Sequence, residues 1–295
     1  MPLYGNRVPV GAETLIPKPD KPDKGECSLS IFDSRLILIY FCCVAVAVGA
    51  VMGSFLNCAA WRIAHDESFL KGRSHCPNCG HTLSVPDLVP LFSWLFLRGR
   101  CRYCGARVSV RYFLAEVFMA AVTILCVLRF DLTILCLRNY IFLCCLFCLS
   151  LVDLENYTIP DGCLLIAAAA WLLALPFMGM SWKELLWHLL AAVIFGGGLL
   201  LLSLLMDRIL KRDSLGGGDI KLYFVVGLYL GIASTLFSLL LACVLGLLFA
   251  VLRKRIGKTT GEQIPFGPSI AAAAAVMLLF GDPMVRWYLG LLSAA

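Results

Sequence analysis

The sequence predicts an all-α polytopic membrane protein with about eight transmembrane helices and one polar loop rich in paired cysteines. Three observations lead there. Of the 295 residues, 60% are hydrophobic and only 15% are charged, and mean hydropathy is strongly positive. Several apolar runs approach or exceed the ~20 residues a helix needs to cross a bilayer. One long polar stretch interrupts them and carries two C-x-x-C pairs. A chain this apolar buries its surface in lipid, so its length does not translate into two soluble domains. The lipid bilayer is therefore an implied partner. Nucleic acid is excluded as one, because the basic residues flank apolar helices and form no aromatic-interleaved surface.

Residues 1–34 form a polar tail that includes Pro17-Lys18-Pro19-Asp20-Lys21-Pro22-Asp23-Lys24. Alternating charge and proline cannot make a core, so the tail is predicted to be a disordered, dispensable extension. It lacks the basic, apolar and cleavage-site order of a signal peptide.

A first transmembrane helix occupies 35–62, with its apolar run from Leu36 to Trp61. Its Gly49-x-x-x-Gly53 spacing lets a second helix approach closely. Ser54-Phe55-Leu56-Asn57 follows, and Arg62 stands at the boundary. Asn57 inside a span needs a hydrogen-bond partner and is expected to face the bundle, as helix glue or as part of a site.

The polar loop, 63–111, holds Cys76-Pro77-Asn78-Cys79 and Cys101-Arg102-Tyr103-Cys104, each pair followed by a glycine (Gly80, Gly105). This is the pattern of a zinc ribbon. Four thiolates on two tight turns close a tetrahedral site and leave no open position, so the metal is expected to be structural zinc. A redox dithiol pair is the alternative. His75 and His81 flank the first pair and are expected to be loop residues. Of the fifteen cysteines, Cys42, Cys43, Cys126, Cys136, Cys144, Cys145, Cys148 and Cys243 lie in or beside apolar runs, where cysteine acts as a small hydrophobe. Reduced thiols, one metal and no disulfides are expected.

Residues 112–295 contain the remaining spans. The first runs from Tyr112 to Leu128 and holds Glu116, which either pairs with Arg111 or serves a site. The next, Asn139 to Val152, ends at Asp153. A short loop with Pro160-Asp161-Gly162 precedes the run from Cys163 to Pro176, and Asp161 can cap that helix. The run from Glu184 to Met206 contains Gly196-Gly197-Gly198, and His188 within it reads as a packing residue. Then Leu215-Gly216-Gly217-Gly218-Asp219-Ile220-Lys221 opens the runs Ile220 to Ile232 and Leu236 to Leu252, the first with Gly227-x-x-x-Gly231. Ile264-Pro265-Phe266-Gly267-Pro268 breaks the chain before the last run, Ser269 to Phe280.

An acid at the mouth of a membrane span is costly and marks a site by default. Asp153 and Asp219 are two such acids, and the charge distribution places them together. Alternating eight spans puts fifteen Lys and Arg on the side of the cysteine loop and nine on the other, or four without the tail. The positive-inside rule makes the cysteine loop cytoplasmic and sets both acids at the cytoplasmic boundary.

These motifs, in this order, resemble the type IV prepilin peptidases, bacterial GxGD-type aspartyl membrane proteases. The resemblance covers nearly everything after the tail. It rests on Gly53-Ser54-Phe55-Leu56-Asn57 with Arg62, the two C-x-x-C pairs, Arg111-Tyr112 with Glu116, Asp153 with Ile159-Pro160-Asp161, Gly216-Gly217-Gly218-Asp219-Ile220-Lys221, and Ile264-Pro265-Phe266-Gly267-Pro268. One position departs from the family pattern, Arg-Leu-Pro reading Arg62-Ile63-Ala64 here.

The resemblance implies a prepilin leader peptidase/N-methyltransferase of the bacterial inner membrane. Prepilins and pseudopilins are its implied substrates, Asp153 and Asp219 its catalytic pair, and the cysteine loop its zinc site. Gly216, Gly218 and Lys221 would support the pair. Methylation by S-adenosylmethionine is implied for the N-terminal part, 35–62 with 63–111, with Asn57, Arg62 and Glu116 as candidate residues, while 112–295 would be the aspartyl peptidase domain. Two adjacent carboxyls share a proton, so one acts as base on water and the other as acid toward the scissile carbonyl. Glu155 and Asp161 are expected to help hold a basic leader. Two other classes fit parts of the pattern: an ion- or proton-coupled transporter using the intramembrane acids, and a methyltransferase or zinc-loop scaffold with structural aspartates.

Overall fold

The computed structural model describes residues 35–68, 72–211, 216–255 and 265–294. The predicted disordered tail, 1–34, lies outside the described residues, as do Leu215 and Ile264 at the edges of two motifs. Nine α-helices appear among the described residues: α1 (Arg35–Ala64), α2 (Phe92–Phe96), α3 (Val110–Phe130), α4 (Ile134–Asn156), α5 (Asp161–Ala174), α6 (Trp182–Ala192), α7 (Gly198–Leu210), α8 (Gly217–Arg255) and α9 (Gly267–Ala294). The described residues contain no extended strand. Two isolated antiparallel bridges, His75 with Thr82 and Arg100 with Arg107, lie in the cysteine loop.

Five segments are long and apolar enough to cross a membrane: Leu36–Ala64, Val110–Phe130, Ile134–Asn156, Trp182–Leu210 and Gly217–Arg255. Two shorter apolar helices, Asp161–Phe177 and Gly267–Gly281, stand where two further spans are expected. Trp182–Leu210 is α6 and α7 joined by a π-helical turn at Val193–Gly197.

The two runs expected around Gly231 fall within α8, and Gly231 divides it. Its φ of 70° and ψ of −178° are non-helical, and glycine enters that region without the Cβ penalty. A straight helix of 39 residues would hold its ends about 58 Å apart. Both ends instead lie beside the end of α4: Gly218 packs against Ile159, and the Arg253 guanidinium donates to the Tyr157 hydroxyl at 3.4 Å. The chain therefore turns back at Gly231. His188, expected only to pack, has a definite task here. Its Nδ1 lies 2.9 Å from the Leu228 carbonyl, in the last turn before the break at Gly231.

Close packing follows the small residues. α1 lies along α3, and a Cβ at Gly49 or Gly53 would come within 2.6 Å of α3 backbone atoms. This is the approach that the G-x-x-x-G spacing predicts. α4 sits at the centre, against α1, α3, α5 and α9. Its Phe142 is 1% exposed and stacks on Tyr229 of α8, with ring centroids 3.9 Å apart. α4 also runs one turn further than expected, to Asn156, so Asp153 stands on the last helical turn and not at the start of a loop.

Candidate active site and metal centre

The cysteine loop is built from two equivalent turns. In the first, Cys76 N–H donates to the His81 carbonyl at 2.9 Å and Gly80 N–H to the Cys76 carbonyl at 2.9 Å. In the second, Cys101 N–H donates to Ala106 at 2.8 Å and Gly105 N–H to Cys101 at 2.9 Å. Gly80 and Gly105 adopt φ of 69° and 71°, the left-handed conformation each turn requires.

The turns bring the Sγ atoms of Cys76, Cys79, Cys101 and Cys104 within 4.8 Å of one another. Cys76 and Cys104 sulfurs are 3.9 Å apart, close to the edge of about 3.8 Å that four thiolates make around a tetrahedral zinc. Two of the thiols, one from each turn, are prepared for ionisation, while burial and the neighbouring thiols push Cys79 up to about 11. Backbone N–H groups of Cys79 and Asn78 hold the Cys76 thiol below its ordinary range, and the Ala106 N–H with the Asn78 amide brings Cys104 down to about 6. Thiolate is the form that binds metal. This donor set fits a closed metal site.

Asp87 fixes the second turn to the rest of the loop. Its carboxylate accepts from the Ser84 hydroxyl at 2.6 Å, Arg102 Nε at 2.6 Å and the Tyr103 hydroxyl at 3.1 Å. Ser84 and these further donors hold the carboxyl down to about 2. Nothing in the residue pattern singled out Asp87, because its partners are distributed over 84–103. His81 stacks on Tyr103, with centroids 3.7 Å apart, as a loop residue.

Beside this loop lies a cavity of about 500 Å³, lined by Arg62, Cys76, Asp87, Trp94, Arg100 and Glu116 among others. Glu116 is 7% exposed, and one carboxylate oxygen accepts the Leu91 N–H at 2.7 Å. That contact holds Leu91 at a φ of 64°, which is unfavourable for a branched residue. The Trp94 indole N–H is buried without a partner. Arg62 is 9% exposed, and Asn57, 3% exposed, faces the bundle as expected. The alternative pairing of Glu116 with Arg111 is not formed. Arg111 instead meets Glu155 near the end of α4.

The same face of the bundle carries both membrane acids. The Asn156 amide donates to the Ala64 carbonyl at the end of α1, so the cysteine-loop end of α1 and the Asp153 end of α4 coincide. Asp153 is 5% exposed and accepts the Gly267 N–H, from the start of α9, at 2.9 Å. Asp219 lies on the first turn of α8, its N–H bonded to the Gly216 carbonyl at 3.0 Å, and the adjoining Gly218 brings that turn against Ile159, three residues beyond the end of α4. Gly218 leaves room for Ile159, since a Cβ there would come within 2.9 Å of the isoleucine side chain. Lys221 reaches Asp161 at 2.8 and 3.0 Å. Asp161, which also stands in the first turn of α5, thus joins α5 to α8.

One group near the pair went unread in the sequence. Tyr223, one turn beyond Asp219, is 1% exposed, and its hydroxyl has no hydrogen-bond partner. In the sequence it is indistinguishable from the apolar residues around it.

Two family models match the chain in succession. Residues 47–130 match the bacterial peptidase A24 N-terminal domain, and residues 140–251 match the type IV leader peptidase family. Relatives extend further. A prepilin leader peptidase/N-methyltransferase of Bacillus subtilis is 31% identical over 250 residues, covering 82% of this chain and 95% of its own. One from Pseudomonas putida is 30% identical over 267 residues, covering 82% and 92%. A type 4 prepilin-like proteins leader peptide-processing enzyme of Escherichia coli is 32% identical over 251 residues, covering 77% and 90%. No solved structure matches. A helical bundle with several membrane-length apolar helices, a four-cysteine centre and two membrane acids on one face accords with these relatives, and the chain belongs to the type IV leader peptidase family.

Proposed function

We propose that the chain is a membrane-embedded aspartic endopeptidase that removes the short basic leader from type IV prepilins and pseudopilins and N-methylates the new N-terminus. The observation that carries the proposal is that the last turn of α4, with Asp153, and the first turn of α8, with Asp219, come to one face of the bundle, where Gly218 packs on Ile159. Two carboxyls working on one scissile bond cannot both ionise freely, so on this reading the pair shares a proton. The ionised carboxylate draws a proton from water, and the resulting hydroxide attacks the scissile carbonyl. The protonated partner donates to the carbonyl oxygen, and the proton taken from water later leaves with the amine. No acyl-enzyme forms. Gly216 and Gly218 leave room around Asp219, since a Cβ at the first would press on its carboxylate and one at the second on Ile159, and Lys221, two residues on, makes only an exposed ion pair with Asp161.

Cys76, Cys79, Cys101 and Cys104 hold one structural zinc, whose role is to fold the loop. The neighbouring cavity is of the size that takes a small cofactor, and Arg62 and Glu116 line it, with Asn57 nearby on α1. S-adenosylmethionine bound there supplies the methyl group. Residues 35–62 with 63–111 form this methyl-transfer part, and 112–295 the peptidase part.

The orientation follows from charge. With α8 counted as two spans divided at Gly231 and the two shorter apolar helices included, the chain crosses the bacterial inner membrane eight times. The fifteen-to-nine excess of Lys and Arg then puts the cysteine loop and both acids on the cytoplasmic face. Co-expression with a prepilin tests the whole reading: wild type should yield a shortened, methylated pilin. A pilin of unchanged length, with the chain present in the membrane, overturns it.

A further inference from the structure

We propose that Cys126 and Cys136 form a disulfide that staples the α3–α4 turn on the outer face of the membrane. Cys126 lies one turn before the end of α3, and Cys136 in the first turn of α4. Their sulfurs are 3.7 Å apart, about 1.7 Å beyond the length of an S–S bond. Each sulfur also approaches the other residue's carbonyl, at 3.6 and 3.7 Å, so the two thiols face one another across the turn. The turn is itself fixed. Thr133 Oγ1 donates to the Phe130 carbonyl at 2.8 Å and accepts the Cys136 N–H at 3.2 Å.

A second thiol pair at the other end of α4 provides a comparison. Cys148 and Cys163 are 4% and 8% exposed, much like Cys126 and Cys136 at 0% and 7%. Burial therefore does not distinguish the pairs, but position does. Cys148 lies toward the Asp153 end of α4, whereas Cys136 is about 18 Å further along the helix. On the orientation proposed above, on which this inference rests, the first pair faces the oxidising compartment and the second the reducing cytoplasm.

The chemistry is thiol–disulfide exchange. The thiolate of one cysteine attacks a disulfide of an extracytoplasmic disulfide-donor protein, and a mixed disulfide forms. The second thiolate displaces that donor. The pair loses two protons and two electrons, and the donor leaves as a dithiol. Because both sulfurs are buried in the packed bundle, the exchange belongs to the period before α3 and α4 dock. The product links the helix of Glu116 covalently to the helix of Asp153.

The test uses the full chain in membranes of a bacterium with an oxidising outer compartment. N-ethylmaleimide is added before denaturation, and the digest is read by mass spectrometry. Cys126 and Cys136 should appear as one cross-linked peptide that reduction splits, while Cys148 and Cys163 carry the alkyl group. A Cys136→Ser variant should leave Cys126 fully alkylated. A separate Leu132→Cys variant in spheroplasts, treated with a membrane-impermeant maleimide, reports the side on which the turn lies. If Leu132→Cys is labelled from outside but Cys126 and Cys136 are both alkylated without reduction, the disulfide is wrong and the orientation stands. If Leu132→Cys is not labelled from outside, the orientation and the disulfide fall together.

Discussion

Gly267 donates its backbone N–H to the Asp153 carboxylate at 2.9 Å, bringing the start of α9 onto the last turn of α4. The same glycine leaves space for the acid: a Cβ there would lie 2.7 Å from Asp153 Oδ2. Gly267→Ala must displace one of the two. A shift of about 1 Å at a reacting group costs on the order of 10²-fold. Initial rates of prepilin trimming, normalised to enzyme in the membrane, should fall by about that factor. An alanine variant as fast as wild type would mean that Asp153 is free to move.

The two acids are expected to be indispensable. Asp153→Asn and Asp219→Asn preserve side-chain size, so insertion and packing should survive, and each removes one half of a shared proton site. Cleavage should be lost in both. Asp161→Asn is the control, because its ion pair with Lys221 is more than half exposed on both sides, and such pairs contribute only about 0–1 kcal/mol. Gel analysis of prepilin from each strain decides; near wild-type trimming by either of the first two variants removes the dyad.

The metal prediction concerns stoichiometry. Purified wild type should contain about one zinc per chain, the capacity of four thiolates in one tetrahedral shell. Cys76→Ser/Cys101→Ser should contain none. Equal zinc in both would place the metal elsewhere.

Glu116→Gln separates charge from architecture. The amide oxygen can still accept the Leu91 N–H, so the loop should keep its shape, while the negative charge facing the cavity is gone. Methylation of the mature pilin should fall by at least about tenfold, the scale of losing one charged hydrogen bond. Leader cleavage should remain within a few-fold. Mass spectrometry of the pilin reads both, and undiminished methylation would exclude Glu116 from that activity.

Much of this arrangement was legible in the residues because it rests on local signals. The Cys76 and Cys101 turns each carry their own glycine, and the G-x-x-x-G of α1 specifies close packing wherever it occurs in a membrane helix. What was not legible depends on pairs remote in sequence. Arg111 could have met Glu116, its neighbour on α3, but the fold brings it Glu155 from α4. The role of His188 appears only once Gly231 has interrupted a helix some forty positions later. Asp153 and Asp219 could each be identified as unusual, whereas Gly267, which contacts the first, looked like part of a chain break.

The break at Gly231 also bears on the lipid. From Gly217 to Leu230 the first half of α8 has only 14 residues, about 21 Å of helix. On the eight-span reading proposed above, it crosses a hydrocarbon core about 30 Å thick. Such hydrophobic mismatch is relieved by thinning the bilayer or by admitting water at the short helix. Asp219 stands in the first turn of that helix, so on the same reading the thinning would bring water to the acid proposed to use it.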